Sequence, residues 1–233
     1  MTLILENWPL FWLGLRTTLA LAFVTHIAAT VIGVVLGVLA TFPSRPLRIA
    51  VALYVETFRD IPLIVTIFTI FFGAPFLGVP LQPFPAVALG LSLWGGANAA
   101  EIVRAGIQAV PEGQTDAGRS LGLRRSQIYR LILLPQAVRS VLPAFTGLLA
   151  LIVQSTSLGA LVGATEFLKA GGLVIERSTV MLGINPAFQI YGFVLLVYFC
   201  ICSVLTALSR RLELRLARTG QRAALAAPDA ASV

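Results

Sequence analysis

Histidine, lysine and cysteine are almost absent from this chain of 233 residues. Its one histidine, His26, has no second histidine with which to build a metal or catalytic cluster. Its one lysine, Lys169, does not belong to a G-x-x-x-x-G-K-S/T stretch, so the chain has no ATP-binding loop of its own. Cys200 and Cys202 share one apolar run, which argues against a disulfide framework and a cysteine metal site. We therefore expect no catalytic residue, metal ligand or cofactor in this chain, and a role other than that of an enzyme.

Charged residues are also few. They make up 12% of the sequence and hydrophobic residues make up 58%, which is too apolar for a soluble domain of this length. The net charge of +7 could indicate a nucleic-acid-binding protein, but the basic residues flank apolar runs and lack interleaved aromatic residues. The composition therefore predicts a membrane protein.

Five apolar runs are long enough to cross a bilayer. They are residues 17–42, 49–76, 84–104, 140–165 and 187–209. Arginines concentrate after the first, third and fifth runs, so the positive-inside rule places the N terminus outside and the C terminus in the cytoplasm. The predicted fold is an all-α membrane protein with five transmembrane helices, N-out and C-in, in a single domain of residues 1–216. The alanine-rich residues 217–233 are predicted to be a disordered cytoplasmic tail.

The connections and one pair of glycines add local expectations. Four prolines without a charge make 73–85 a tight outer turn, and the mixed segment 166–179 could form a short outer helix. Gly33 and Gly37 are four residues apart in the first run. They could form a close-packing face between helices, or could simply belong to an apolar helix.

The second apolar run contains a charged cluster. Glu56, Arg59 and Asp60 precede Pro62, which should kink the helix. Because isolated charges at the bilayer centre are costly, we expect the cluster to lie near the cytoplasmic side, to pair internally or to face a polar cavity. A local ion network that holds the kink and a direct role in a transport path are both open.

Two further groups of polar residues lie at membrane depth and are candidates for lining a transport path. They are Asn98 and Glu101 in the third run, and Gln154, Ser155, Thr156 and Ser157 in the fourth. Glu101 and Arg104 are three residues apart and can pair on one helical face. The alternatives to a path are helix packing, hydrogen bonds to neighbouring helices and an ion pair at the membrane interface.

Residues 110–143 form the one long polar passage between apolar runs. The basic residues are Arg119, Arg124, Arg125, Arg130 and Arg139, against the acids Glu112 and Asp116, so this passage should face the cytoplasm. Ala117 and Gly118 allow close approach of another surface, and Gly122 can end a short helix in a left-handed conformation. A second helix can start near Ser126 and run to Pro135. The sequence therefore predicts a helix-turn-helix suited to docking a soluble partner.

The spacing in this passage resembles a known family pattern. The pattern D-A-G at 116–118, Gly122, Ile132 and Leu134-Pro135 is similar to the EAA loop of bacterial ABC importer permeases, E-A-A-x3-G-x9-I-x-L-P. Further segments resemble the AEI, VPxGQ, ALGL, LPQA and FRGTPL motifs of the polar amino acid uptake branch. They are residues 100–102, 110–114, 120–123, 134–137 and 58–63. The sequence departs from the pattern at Asp116, Gly118 and the pair Gln154-Ser155, where the branch usually has Glu, Ala and Lys-Asp. The resemblance covers roughly residues 14–216.

The resemblance implies a permease subunit of an ATP-driven importer for polar amino acids or related compounds, in the bacterial cytoplasmic membrane. The coupling loop, residues 110–136, would dock on an ABC ATPase dimer that binds ATP and Mg²⁺. The residues implied to couple to the ATPase are Gln114, Thr115, Asp116, Ala117, Gly118, Arg119 and Gly122. A second permease subunit, identical or different, and a periplasmic or lipid-anchored substrate-binding protein would complete the complex.

Two other classes of protein compete with this interpretation. An ion-coupled secondary transporter would need an intramembrane acid, for which Glu56, Asp60 and Glu101 are the candidates, and it would show ATP-independent uptake. Five spans without an internal repeat and a long docking loop argue against it. A membrane enzyme or structural subunit would need a catalytic constellation or a soluble domain, and the sequence offers neither.

Overall fold

A computed structural model describes residues 2–226, and these residues form helices joined by turns, with no strand among them. The α-helices are α1 (Thr2–Glu6), α2 (Trp8–Ala40), α3 (Arg45–Asp60), α4 (Leu63–Gly73), α5 (Pro83–Gln108), α6 (Glu112–Ser120), α7 (Arg125–Ile128), α8 (Leu134–Ser155), α9 (Phe167–Leu182) and α10 (Ala187–Ala226). Two 3-10 segments, Ala74–Leu77 and Thr156–Val162, follow α4 and α8, and a π-helical segment, Tyr129–Leu133, joins α7 to α8.

Four helical segments of the described residues are long and apolar enough to cross a membrane, and a bent pair of helices can form a fifth span. The four continuous segments are Trp8–Ala40, Pro83–Gln108, Arg125–Val162 and Ala187–Leu214. The fifth consists of α3 and the stretch Leu63–Leu77, which meet at an angle of 98°. The predicted all-α membrane fold is confirmed, and the N-out, C-in orientation stays a prediction.

The sharp bend in the second span lies at the predicted proline. Ile61, directly before Pro62, has the extended backbone angles φ −71° and ψ 128°, because a residue before proline is driven out of the helical region. Pro62 has no N–H to continue the hydrogen-bond ladder, and α4 begins directly after it. The predicted kink is confirmed, and it is large enough to divide the run into two helices.

Glycines bring α2 and α5 into close contact. A Cβ atom added to Gly37 would lie 2.6 Å from the carbonyl oxygen of Ala100 and 2.6 Å from Cβ of Val103. Gly33 is packed in the same way against Ala99. Two helices can approach this closely only where side chains are missing, so the close-packing interpretation of these glycines is confirmed.

The helix that follows the coupling-loop turn was predicted to end at Pro135, and this prediction is wrong. The helix continues without a break from Arg125 to Val162, a stretch that is long and apolar enough to be one membrane span. In the π-helical segment the N–H of Leu134 bonds to the carbonyl of Tyr129, five residues back. Pro135 then lies in the first turn of α8, where a residue without an N–H is tolerated.

The C-terminal helix is longer than predicted. α10 continues to Ala226, beyond the predicted end of the span at 209, and it includes residues 217–226 of the predicted disordered tail. Alanine, leucine, arginine and glutamate are strong helix formers, so the helix can continue past the membrane. Residues 227–233 lie outside the described residues. The short helix predicted at 166–179 is confirmed as α9.

Candidate functional site

The coupling loop has the predicted helix-turn-helix shape. Gly122 has φ +71°, in the left-handed region that glycine adopts without strain. The N–H of Gly122 bonds to the carbonyl of Arg119 at 2.9 Å, and the N–H of Leu123 bonds to the carbonyl of Gly118 at 3.1 Å. This pair of bonds is the Schellman arrangement, which satisfies the last carbonyls of α6 and fixes the direction of the turn.

Gly118 is buried and faces the rest of the loop. A Cβ atom at this position would lie 2.9 Å from Cδ1 of Ile132 and 3.1 Å from Cγ1 of Ile128. The missing side chain therefore lets α6 lie directly on the helix that follows it. The structure places this small residue on the inner side of the loop, whereas the sequence was interpreted as offering it to a partner.

The opposite side of α6 is open. Gln114, Asp116, Ala117 and Arg119 are exposed, and Thr115 is half-buried. Asp116 and Arg119 form an ion pair of 3.0 Å on this surface. Leu121, at the turn, is 79% exposed and was not among the predicted site residues. An apolar residue directly before a turn glycine was the available signal, and it makes the tip of the loop partly hydrophobic.

A cavity of about 1230 Å³ lies between α3, α5 and the coupling loop. Its charged lining residues are Arg48, Glu56, Arg59, Glu101, Arg104, Glu112, Asp116, Arg119 and Arg125. Of the predicted kink cluster, Glu56 and Arg59 reach this cavity, and Asp60 does not line it. Within residues 2–214 no ion pair within 4.0 Å joins Arg59 to Glu56 or Asp60. Glu56 and Arg59 therefore face the cavity, and the cluster does not pair internally.

The predicted pair in the third span is present on the cavity wall. The Nε atom of Arg104 donates to Oε2 of Glu101 at 2.9 Å, and Nη1 of Arg104 donates to Oε1 of Gln108 at 2.6 Å. Asn98 behaves differently, because its Nδ2 atom donates to the carbonyl of Trp94 at 2.9 Å, within the same helix. The structure therefore brings Glu101 to the cavity and leaves Asn98 away from its lining.

The four polar residues of the fourth span do not act as one surface. Gln154 is exposed and lines a groove of about 810 Å³ between α8 and α10. Thr156 is fully buried, and its hydroxyl donates to the carbonyl of Val153 at 2.7 Å. Ser157 donates to the carbonyl of Gln154 at 2.7 Å, and Ser155 is half-buried. Only Gln154 keeps a side chain open to the groove.

Polar residues of α10 share this groove and were missed in the sequence. Ser203, Thr206 and Arg210 lie on one face of the helix, at the spacing i, i+3 and i+7. Most of the groove surface is formed by apolar neighbours such as Phe199. The helical spacing of these three residues was the signal that could have identified them.

A second group that sequence reasoning missed is the Glu166 cluster, formed by Glu166, Tyr198 and Thr18. The fully buried Glu166 carboxylate accepts hydrogen bonds from the N–H groups of Leu168 (2.9 Å) and Lys169 (2.7 Å) and from the hydroxyl of Tyr198 (2.7 Å). It therefore caps the start of α9.

The same cluster joins three helices. The N–H of Phe167, the next residue, donates to the hydroxyl oxygen of Thr18 at 3.1 Å. The pKa of the Glu166 carboxyl is raised, because the effect of burial exceeds that of the hydrogen bonds from Leu168, Tyr198 and Lys169, which lower it. The cluster holds α2, α9 and α10 together.

Known proteins resemble the chain over most of its length. The family model described as "Binding-protein-dependent transport system inner membrane component" matches residues 29–218. The probable amino-acid ABC transporter permease protein YckA of Bacillus subtilis (strain 168) is 32% identical over 211 residues, which cover 91% of each chain. The glutamate/aspartate import permease protein GltJ of Escherichia coli (strain K12) is 34% identical over 181 residues, covering 72% of this chain and 73% of GltJ.

Solved structures agree with these sequence relatives. A crystal structure of an amino acid ABC transporter with histidines superposes with a TM-score of 0.82 at 26% identity, covering 91% of this chain and 96% of that chain. An inward-facing structure of the MetNI methionine ABC transporter has a TM-score of 0.72 at 26% identity, covering 89% and 96%. Because the family model matches well over half of the sequence, the chain belongs to the binding-protein-dependent transport system inner membrane component family.

Proposed function

We propose that the chain is the permease subunit of an ATP-driven ABC importer that carries polar amino acids or related compounds across the bacterial cytoplasmic membrane. The observation that carries the proposal is a helix-turn-helix with the spacing of the EAA loop and a left-handed glycine at its turn, next to a charged cavity. The chain itself has no ATP-binding loop. The amino-acid class is supported by YckA and GltJ, which are named as amino-acid and glutamate/aspartate permeases.

In this proposal the energy comes from a partner. An ABC ATPase dimer binds ATP and Mg²⁺ and receives α6 in a surface groove. The open side of α6 offers a polar surface with one apolar residue, Leu121, at its tip. Gly118 and Gly122 set the shape of the loop: Gly118 lets α6 pack on Ile128 and Ile132, and Gly122 adopts the left-handed conformation of the turn. A second permease subunit and an extracytoplasmic substrate-binding protein complete the importer, and the second subunit can be an identical or a different chain.

The substrate path in this proposal uses two regions. Glu56, Arg59 and Glu101 line the cavity next to the coupling loop, where a charged or zwitterionic solute can exchange contacts with both signs of charge. Gln154 contributes a hydrogen-bonding side chain at the groove between α8 and α10. Asn98 and Thr156 have a smaller part, because their side chains bond to carbonyl groups of the chain.

The experiment is reconstitution of the purified complex. The tagged chain is extracted from its native membranes, and the co-purifying subunits are identified and placed in proteoliposomes with the binding protein. We expect an ABC ATPase to co-purify and amino-acid uptake to require both ATP and the binding protein. Uptake by the isolated chain driven by an ion gradient would contradict the proposal and support a secondary transporter.

A further inference from the structure

One side chain of the coupling loop forms hydrogen bonds with the residue that ends α2. Tyr129 begins the π-helical segment, and its hydroxyl lies 3.0 Å from the carbonyl oxygen of Thr41 and 2.9 Å from the hydroxyl oxygen of Thr41. Its ring also packs edge-on against Phe42, with ring centroids 5.3 Å apart. The hydrogen bonds between Tyr129 and Thr41 join residues 88 positions apart in the sequence.

The chemistry at this contact favours one direction of hydrogen bonding. Thr41 caps the C terminus of α2, where the last carbonyl groups have no partner within the helix. The hydroxyl of Thr41 donates its proton to the carbonyl of Val38 at 2.7 Å, so its lone pairs remain free to accept. The phenol of Tyr129 is then the donor, and its proton is shared between two oxygen atoms of Thr41.

The contact completes a continuous chain of packed groups. α6 lies on Ile128 and Ile132 through Gly118, and Tyr129 is the neighbour of Ile128 in the sequence. Thr41 follows α2, and α2 packs on α5 through Gly37. α5 carries the Glu101 and Arg104 side chains on the cavity wall, and Thr41 and Tyr129 line the same cavity. α6 is also joined to α5 directly, because only residues 109–111 separate Gln108 from Glu112. The hydrogen bond of Tyr129 therefore gives a displacement of α6 a second route, which leads to the end of α2.

We propose that Tyr129 is a positioning residue that makes the coupling loop and the α2–α5 wall of the cavity move as one body. Its phenol transmits the displacement of α6 to the end of α2. The π-helical segment supports this assignment, because such segments are frequent at functional sites. The proposal rests on the proposed function, in which α6 docks on an ATPase.

The first test removes the phenol oxygen and keeps the ring, with the variant Tyr129→Phe in the complete complex. The control is Tyr191→Phe on α10, where the tyrosine is 47% exposed. We expect co-purification of the ATPase to be unchanged and the substrate transported per ATP hydrolysed to fall roughly three- to tenfold, the size of one lost hydrogen bond. Adding Thr41→Val to Tyr129→Phe should cause little further loss of coupling, because Tyr129→Phe has already removed the bonds to both oxygen atoms of Thr41. Thr41→Val alone keeps the carbonyl oxygen and should cause a smaller loss than Tyr129→Phe.

The ratio of transport to hydrolysis separates positioning from folding. A purely structural tyrosine would lower the amount of complex and its melting temperature but leave the substrate moved per ATP unchanged, and that result overturns the proposal. If the unaltered chain binds no ATPase at all, the proposed function and this proposal fall together. If the ATPase binds and Tyr129→Phe transports as efficiently as the Tyr191→Phe control, only the role of Tyr129 is overturned.

A second test fixes the contact covalently. The variant carries Thr41→Cys and Tyr129→Cys in a chain whose own cysteines are replaced by Cys200→Ser and Cys202→Ser. A short bismaleimide joins the two new thiols, because the tyrosine side chain that it replaces is longer than the distance that a disulfide can span. If the loop and α2 move as one body, the cross-linked complex transports at least as well as the same variant before cross-linking. Loss of transport while ATP hydrolysis continues would show that the two must slide past each other, and would overturn the proposal.

Discussion

The coupling loop and the Glu166 cluster both contain polar residues, but they differ in burial and in what satisfies those residues. In the loop, Asp116 and Arg119 are exposed, and their side chains form an ion pair with each other. In the cluster, Glu166 is fully buried and accepts three hydrogen bonds from within the chain. The comparison teaches that exposed polar residues of this protein are available to partners, whereas buried ones hold the helices in place.

The largest loss of stability should follow from a substitution in the Glu166 cluster. Glu166→Ala removes the N-cap of α9 and leaves the Tyr198 hydroxyl and two N–H groups without their acceptor. We expect a loss of about 2–4 kcal/mol in stability, since a cap is worth about 1 kcal/mol and each unsatisfied buried group about 1–3 kcal/mol. Thermal unfolding in detergent measures it. Glu176→Ala, an exposed acid on the same helix, is the control and should change little.

The second effect concerns the shape of the coupling loop. Gly122→Leu forces a side chain into a left-handed conformation, which costs about 1–2 kcal/mol. Because no heavy atom lies within 4 Å of the added Cβ, the cost is in the backbone and not in packing. We expect a roughly tenfold weaker association with the ATPase and less stimulation of ATP hydrolysis. The control is Gly113→Leu, which adds the same side chain at a position that also has open space but no positive φ. Unchanged association and ATP hydrolysis in Gly122→Leu would show that Gly122 has no role in coupling.

The smallest effect on stability should come from the exposed ion pair. Arg119→Gln removes the 3.0 Å contact with Asp116, and a solvent-exposed pair contributes only about 0–1 kcal/mol. The melting temperature should therefore stay nearly constant, while binding of the ATPase weakens and becomes less sensitive to salt. A drop in stability as large as that of Glu166→Ala would mean that the two regions do not differ as described.

Local signals explain how much of the structure could be predicted from the sequence. Proline before α4, glycines at a spacing of four, a left-handed turn at Gly122 and the Glu101–Arg104 pair all depend on residues close to each other in the chain. Hydropathy located the membrane spans for the same reason. The shape of the coupling loop and its place along the chain were therefore predictable.

The features that escaped prediction depend on distant residues. The bond between Phe167 and Thr18 joins positions 149 apart, and the contact of Tyr129 with Thr41 joins positions 88 apart. No periodicity within one helix encodes such contacts. For the same reason the sequence could not distinguish, among the four polar residues 154–157, the one that lines a groove from the one that is fully buried. The structure shows that these are Gln154 and Thr156.

One labelling measurement tests the central claim, which is that the coupling loop lies in the cytoplasm and docks on an ATPase. Leu121→Cys is placed in a chain carrying Cys200→Ser and Cys202→Ser, so that the tip of the loop holds the single thiol. We predict that a membrane-impermeant maleimide leaves this thiol unlabelled in intact spheroplasts, labels it after permeabilisation, and labels it slowly when the ATPase is bound. Rapid labelling in intact spheroplasts, or equal labelling with and without the ATPase, would contradict the claim.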